Sequence, residues 1–306
     1  MAMDSKPEYA CFRSCTSGKI APEPAPCLDT EQACAEYLYA LKWPNGFTCP
    51  SCAYRHAYRI STRRLPIYEC AGCGHQTSLT TGTAMEGSRT PLTKWFLAIR
   101  LIAEPERGIS ALSLSRIIGV TYKTAWTMLH KLRYAMGQYE SATPLQGHVI
   151  IHDAWYGRPH NPTIHRHPQE TPLLIGATLA GDEPDRIAMH VVPDQHMSNK
   201  FILKPATDAF IRKHVAPDAI VGNIQVKRYV PRSAKKMLPA FFVARKWINT
   251  TFHGLGKKHL QAYFNEFCCR TNLWLSVTPV FERISRICAV SGTITYLALT
   301  KRKACA

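Results

Sequence analysis

Cys49-Pro50-Ser51-Cys52 and Cys70-Ala71-Gly72-Cys73 are the two stretches on which the organisation of the chain turns. Each C-x-x-C turn presents two sulfurs on one side of a knuckle, and two knuckles brought together by a hairpin close a tetrahedron around zinc. Gly72 and Gly74 permit the tight backbone beside the metal. Four thiolates leave no open position, so Cys49, Cys52, Cys70 and Cys73 are expected to hold a structural zinc. Tyr58-Arg59-Ile60 and Ile67-Tyr68, between the knuckles, suit short strands, and the segment from Phe47 to Leu79 reads as a zinc ribbon. Cys11, Cys15, Cys27, Cys34, Cys268, Cys269, Cys288 and Cys305 form no two matched ligand pairs and read as unpaired thiols.

On the N-terminal side, Asp29-Thr30-Glu31 followed by Ala33, Tyr37, Leu38 and Leu41 predicts a capped helix ending before Trp43-Pro44-Asn45-Gly46. Met1 to Pro26 lacks a basic start followed by an apolar run, so it reads as a disordered leader and not as a secretory signal. On the C-terminal side, Thr90-Pro91 should cap a helix running to Ala103. Ser110 to Ile118, Gly119-Val120-Thr121 and Tyr122 to Met136 then give helix, glycine turn and longer helix, the layout of a helix-turn-helix. In the second helix Ala125, Met128, Leu129 and Leu132 form the inward stripe, leaving Lys123, Thr124, Trp126, His130, Lys131 and Arg133 to face DNA. Lys123 and Thr124 stand where base edges are read, and Lys131 and Arg133 where phosphates are met. A merely solvated basic helix shows the same pattern. A fragment ending near Met136 is expected to keep duplex binding.

Beyond Gly137 the pattern changes to strands at Val149-Ile150-Ile151, Leu173 to Leu179 and Ile187 to Val192, with Gly181-Asp182-Glu183-Pro184 as a turn. Ser198 to Val215 has helical character that Pro205 should break or kink, and Ala219 to Val226 is a fourth strand candidate. Lys257 to Asn272 is helical, and Pro279 to Leu299 supplies a last helix and turn.

The chain has 306 residues, enough for two or three compact units. Its formal charge of +17 comes from 38 Lys and Arg against 21 Asp and Glu. That excess favours a polyanion, whether DNA, RNA or an anionic membrane surface. Apolar runs such as Phe96 to Ile102 are far shorter than the ~20 residues that span a bilayer, so no membrane insertion is expected.

Several stretches resemble the ISXO-type insertion-sequence transposases. They are Trp43-Pro44-Asn45-Gly46-Phe47-Thr48-Cys49-Pro50, Gln76 to Thr83, Trp95 to Ile99 and Thr124 to Arg133. The likeness resumes at His253 to Tyr263 and at Asn265-Glu266-Phe267 with Arg270 and Asn272. It implies an α+β multidomain chain. Residues 1–27 would be the leader, 28–90 the zinc ribbon with its preceding helix, 91–137 the helix-turn-helix, and 138–306 a partly degenerate ribonuclease-H-like α/β catalytic domain. It further implies duplex DNA at element inverted repeats as partner, a homo-oligomer on that DNA, and a bacterial cytoplasmic, nucleoid-associated setting.

Members of the family bind two magnesium or manganese ions through two aspartates and a third Asn or Glu. Asp153, after Val149-Ile150-Ile151-His152, matches the first aspartate. The second should close the strand Ala219-Ile220-Val221, where this chain reads Gly222-Asn223-Ile224. Ala240 to Lys246 lacks the third. Glu266 is either a replacement ligand or a packing carboxylate of the closing motif. His148, His152, His160, His165 and His167 around Asp153 read as polar loop histidines and not as ligands. Three functions follow from these residues: a transposase that cuts and joins DNA, a degenerate or domesticated relative that binds without cutting, and an unrelated zinc-ribbon transcription factor. The motif from His253 onward counts against the third.

Overall fold

The computed structural model describes residues 27–104, 108–157, 165–180, 183–226, 239–274 and 279–301. The expected leader, His160 and the Gly181-Asp182 part of the predicted turn lie outside these residues.

Helix α1 (Glu31–Lys42) starts where Thr30 accepts a hydrogen bond from the Ala33 N–H, as its sequence predicts. Strands β1 (Ala57–Ile60), β2 (Ile67–Cys70) and β3 (Gln76–Ser78) form an antiparallel sheet in the order β1-β2-β3. Helix α2 (Leu92–Ala103) begins after Pro91, and Thr90 does not cap it. Its cap comes from elsewhere: the Glu31 carboxylate accepts from the Leu92 and Thr93 N–H groups at 2.8 and 3.4 Å. An anion at the positive end of a helix dipole is favourable, so α1 and α2 fix each other's position.

Helix α3 (Ala111–Ile118) ends at Gly119, whose φ of +62° is the left-handed conformation that glycine adopts without a Cβ clash. Helix α4 (Tyr122–Ala142) follows, capped by the Thr121 hydroxyl on the Thr124 N–H. It runs to Ala142, six residues past the expected end at Met136.

The second sheet orders its four strands from edge to edge as Glu183–Val191, Thr171–Ala180, His148–Tyr156 and Ile220–Gln225. Strands β4 (His148–Tyr156), β5 (Thr171–Ala180) and β6 (Glu183–Val191) form an antiparallel meander. A small hairpin, β7 (Met197–Ser198) and β8 (Phe201–Ile202), leads into α5 (Lys204–His214). Pro205 lies in the first turn of α5, where its missing N–H costs nothing, so it starts the helix that it was expected to break or kink. The crossover returns the chain as β9 (Ile220–Gln225), parallel to β4, with a bulge between Val149 and Ile151.

Phe210 of α5 covers one face of this sheet with Val149, Ile151 and Leu174. Helices α6 (Pro239–Phe252) and α7 (Lys257–Trp274) cover the other, with Phe241, Trp247 and Phe264 against Leu173 and Ile175.

Helix α8 (Val280–Val290) does not join that layer. Val280, Phe281, Ile284, Ile287 and Cys288 belong to one core with Leu38, Phe96, Ile99, Leu129 and Leu132. The backbone of Ala84 also donates to the Cys288 carbonyl at 2.8 Å. A division at residue 137 therefore separates the chain but not the core, and a fragment ending at Met136 lacks one wall of its own interior. Between the two sheets α4 lies against α7 so closely that a Cβ on Gly137 would sit 2.5 Å from Asn265 Nδ2. The last turn, α9 (Tyr296–Thr300), is tied back by Lys258, which donates to the Thr300 carbonyl. Among the described residues no helix is long and apolar enough to cross a membrane.

Candidate zinc site and nucleic-acid interface

The hairpin β1-β2 brings the two knuckles together. Cys49 and Cys73 sulfurs are 3.7 Å apart, Cys52 and Cys70 sulfurs 3.6 Å, and all four lie within 4.8 Å of one another. With Zn–S bonds of about 2.3 Å, a tetrahedral site has S–S edges of about 3.8 Å. The donor set fits zinc. The knuckles are equivalent in detail: Ser51 N–H donates to Cys49 Sγ and Gly72 N–H to Cys70 Sγ, both at 3.4 Å. The residue four past each leading cysteine is left-handed, Ala53 at φ +59° and Gly74 at +70°. Burial opposes ionisation of Cys49, yet N–H donors of Cys52 and Ser51 and the neighbouring thiols bring its pKa down, while the same set of thiols holds that of Cys52 up. A thiol already inclined to ionise is suited to metal binding.

Of the residues on the second helix of the α3–α4 pair that were expected to face DNA, only Lys123, at the start, is exposed. Lys123 is exposed, with its ammonium 4.5 Å over the Tyr296 ring, and Tyr122 beside it is also exposed. Thr124 is half-buried, its hydroxyl 2.9 Å from that of Thr121. Trp126 is half-buried against His130 and Tyr296. The remaining residues of the expected DNA face turn inward. His130 is 2% exposed, and burial, with Arg133 and His259 nearby, holds its pKa down at about 3. Lys131 is buried and donates to the Glu86 carbonyl at 2.5 Å. Arg133 is 1% exposed and donates from Nε to Glu266 at 2.7 Å, its guanidinium 3.9 Å from the Tyr263 ring.

Lys131 and Arg133, expected at phosphates, are thus corrected to interior positions. The physical reason is that α4 is packed on both sides, by α8 and α7, so its polar stripe past the second turn falls at an interface. The sequence carries one signal of this: Glu266 lies three residues past Tyr263 on the inward face of α7 and four before Arg270, which approaches it at 3.6 Å.

Asp153 sits near the end of β4, 5% exposed and opposite Leu174 of β5. Asn223 lies in β9, where the register with β4 shifts. Asp218 is exposed in the turn before β9. Glu266 is 0% exposed and held by two guanidiniums, so of its two readings the packing carboxylate is the one found. Among the described residues no second set of three His, Cys, Asp or Glu ligands comes together besides the four cysteines. His148 begins β4, and His167 accepts from the Gln169 N–H; neither gathers with Asp153 as a ligand set. Among the described residues Asp153 is not gathered with two further His, Cys, Asp or Glu ligands, whereas a pair of magnesium or manganese ions needs several carboxylate oxygens.

Residues 29–76 match the transposase zinc-ribbon domain. A stretch of 187 residues is 26% identical to a Halobacterium salinarum protein described as "Uncharacterized protein in transposable element ISH50", covering 60% of this chain and 62% of that protein. The chain thus spans under two thirds of the length of this relative. No solved structure matches.

Proposed function

We propose that this chain is an insertion-sequence transposase in architecture, binding duplex DNA at element inverted repeats and impaired in strand cleavage and transfer. The observation that carries the reading is the match of residues 29–76 to a transposase zinc-ribbon domain, with four sulfurs at tetrahedral spacing. In the same chain stand a helix, glycine turn and helix, followed by a sheet ordered β6-β5-β4-β9 with one parallel strand. Those features support a helix-turn-helix and a ribonuclease-H-like domain.

The zinc orders the ribbon and supplies no chemistry. The exposed start of α4, with Tyr122, Lys123 and the partly covered Thr124 and Trp126, is the surface that meets DNA. Asp153 is the one catalytic residue of the family pattern for which the chain offers a match. Assembly as a homo-oligomer on DNA and residence at the bacterial nucleoid belong to the same reading.

A second reading, a domesticated DNA-binding protein without cleavage, is favoured by one observation: Glu266, the remaining buried carboxylate of the closing motif, is committed to Arg133. Incubating the full chain with the ends of its own element, in magnesium or manganese, separates the two. A mobility shift without free 3′-hydroxyls supports binding with impaired cleavage. Robust cleavage abolished by Asp153→Ala would overturn the impairment, and no shift at low salt would overturn the DNA-binding reading itself.

A further inference from the structure

The zinc ribbon carries a surface that its structural zinc does not explain. Strand β1 is the edge of its sheet, with its outer backbone side unpaired among the described residues. Tyr54 and Tyr58 stand just before and on it, respectively, at 52% and 62% exposure, unusually open for large rings. The Tyr54 ring lies over Gly72, 3.1 Å from where a Cβ would be, so the knuckle holds that ring in place. His56, between them, is 6.1 Å from the Tyr58 ring.

Basic residues flank the rings across the two faces of the edge strand: Arg59 points toward α1, and Tyr58 points to the opposite face beside Glu69 of β2, whose carboxylate accepts from Gln76. Arg55, Arg59 and Arg63 are exposed, and none makes an ion pair or side-chain hydrogen bond among the described residues. Arg55 and Arg59 also border a groove of about 440 Å³ between α1 and β1, floored by Phe47 and Tyr68. Glu36 lies on the opposite, helix side of that groove, where it accepts from Gln32. Within that groove the positive charge therefore stands on the β1 side.

We infer that the edge of the zinc ribbon, Tyr54 to Arg63, is a binding surface for single-stranded DNA, with Tyr54 and Tyr58 stacking on bases and Arg55, Arg59 and Arg63 meeting phosphates. Two features select this occupant. The unpaired arginines and the formal charge of +17 call for a polyanion. Exposed flat rings gain little from a duplex, whose base faces are already covered, but stack on the open faces of an unpaired strand. This deepens the proposed function, since handling element ends exposes unpaired strands, and it rests on that reading.

The test uses the full chain, a labelled oligo-dT and a labelled duplex, with zinc content measured on every variant. Tyr58→Ala should weaken oligo-dT binding by between about 5-fold and 100-fold while leaving duplex affinity and zinc unchanged. Arg55→Ala with Arg59→Ala should lower the slope of log affinity against log salt for the single strand by about 1.4, at about 0.7 for each lost phosphate contact. Lys123→Ala should do the reverse, weakening the duplex alone. The inference is overturned if wild type binds duplex but not oligo-dT, if Tyr58→Ala binds oligo-dT as wild type does, or if it loses both ligands equally. Wild type that binds oligo-dT but no duplex would leave the inference standing and sink the helix-turn-helix reading instead.

Discussion

Replacing Arg133 with Met tests whether α4 is a DNA-facing helix along its length or an interior one. Arg133 and Glu266 are 1% and 0% exposed and 2.7 Å apart. Removing one member of such a pair costs about 3–5 kcal/mol, because the other is left as an uncompensated buried charge. Arg133→Met belongs at the low end, about 3 kcal/mol, since Glu266 keeps Arg270 at 3.6 Å and the Met chain fills much of the vacated volume. Glu266→Gln should cost more, because it removes the anion that faces two buried guanidiniums at once. In urea, with an m-value of about 3 kcal/mol/M, Arg133→Met should lower the midpoint by about 1 M, read by tryptophan fluorescence in the presence of zinc. The order of the two variants is as informative as the size. If Arg133→Met left the midpoint unchanged and instead weakened duplex binding at every sequence, the guanidinium would be at phosphates and the packing of α4 against α7 would be refuted.

Three further outcomes are expected. Cys70→Ser should release zinc, detectable with a chromogenic chelator, and unfold the ribbon, since structural zinc sites contribute about 10–16 kcal/mol in isolated fingers. Ile284→Ala, at a fully buried position of α8, should cost about 2–5 kcal/mol and destabilise the N-terminal unit, so that proteolysis begins between α1 and α4; cleavage confined to the C-terminal sheet would contradict the shared core. On acidification, His130 and His214, whose pKa values burial holds at about 3, contribute stability that is complete above pH 6.5 and is lost as pH falls toward 3, whereas Glu140, raised by burial to about 7, contributes stability that is lost as pH rises from 4.5 through 7. Two histidines against one carboxyl leave a net loss below pH 6.5 of at most about 1.4 kcal/mol per pH unit, which His214→Gln should flatten in urea titrations at pH 5 and 6.5.

What was legible in the sequence follows how local the determining physics is. The cysteine knuckles, the Thr30 cap and the Gly119 turn are each fixed within a few residues, and their positions agree with expectation. The four strands of the second sheet were likewise visible as apolar runs, because a sheet covered on both faces has no polar alternation to disguise it. What failed was long-range. The Glu31 cap on α2 acts 61 residues away, and the partner of Arg133 is 133 residues away, so neither leaves a periodic trace. Helix α6 was not anticipated either, since Ala240 to Ala244 reads equally as a short apolar strand. At the candidate catalytic site the limit is chemical: one aspartate can be matched by its strand context, but Asn223 and Glu266 could be assigned only by knowing what surrounds each, and for Glu266 two guanidiniums decide it.

Helix α4 joins these levels. Its 21 residues make a rod of about 32 Å. One end carries Lys123 in the open, while the other carries Glu140, which accepts from Arg186 of β6 at 2.9 Å and from Asn272 of α7 at 2.9 Å. An apolar stripe alone would leave such a rod free to slide or roll by a fraction of a turn at small cost. Hydrogen-bonded partners at both Arg133 and Glu140 remove that freedom, because either displacement leaves buried polar groups without their partners. Asn272 also bridges to the Ile187 N–H and carbonyl, so the lock extends into the backbone of β6, two strands from Asp153. The exposed start of α4 is therefore held in a fixed position relative to the sheet that carries Asp153. That rigidity requires the interior ion pairs at the positions where surface reading would have put phosphate contacts.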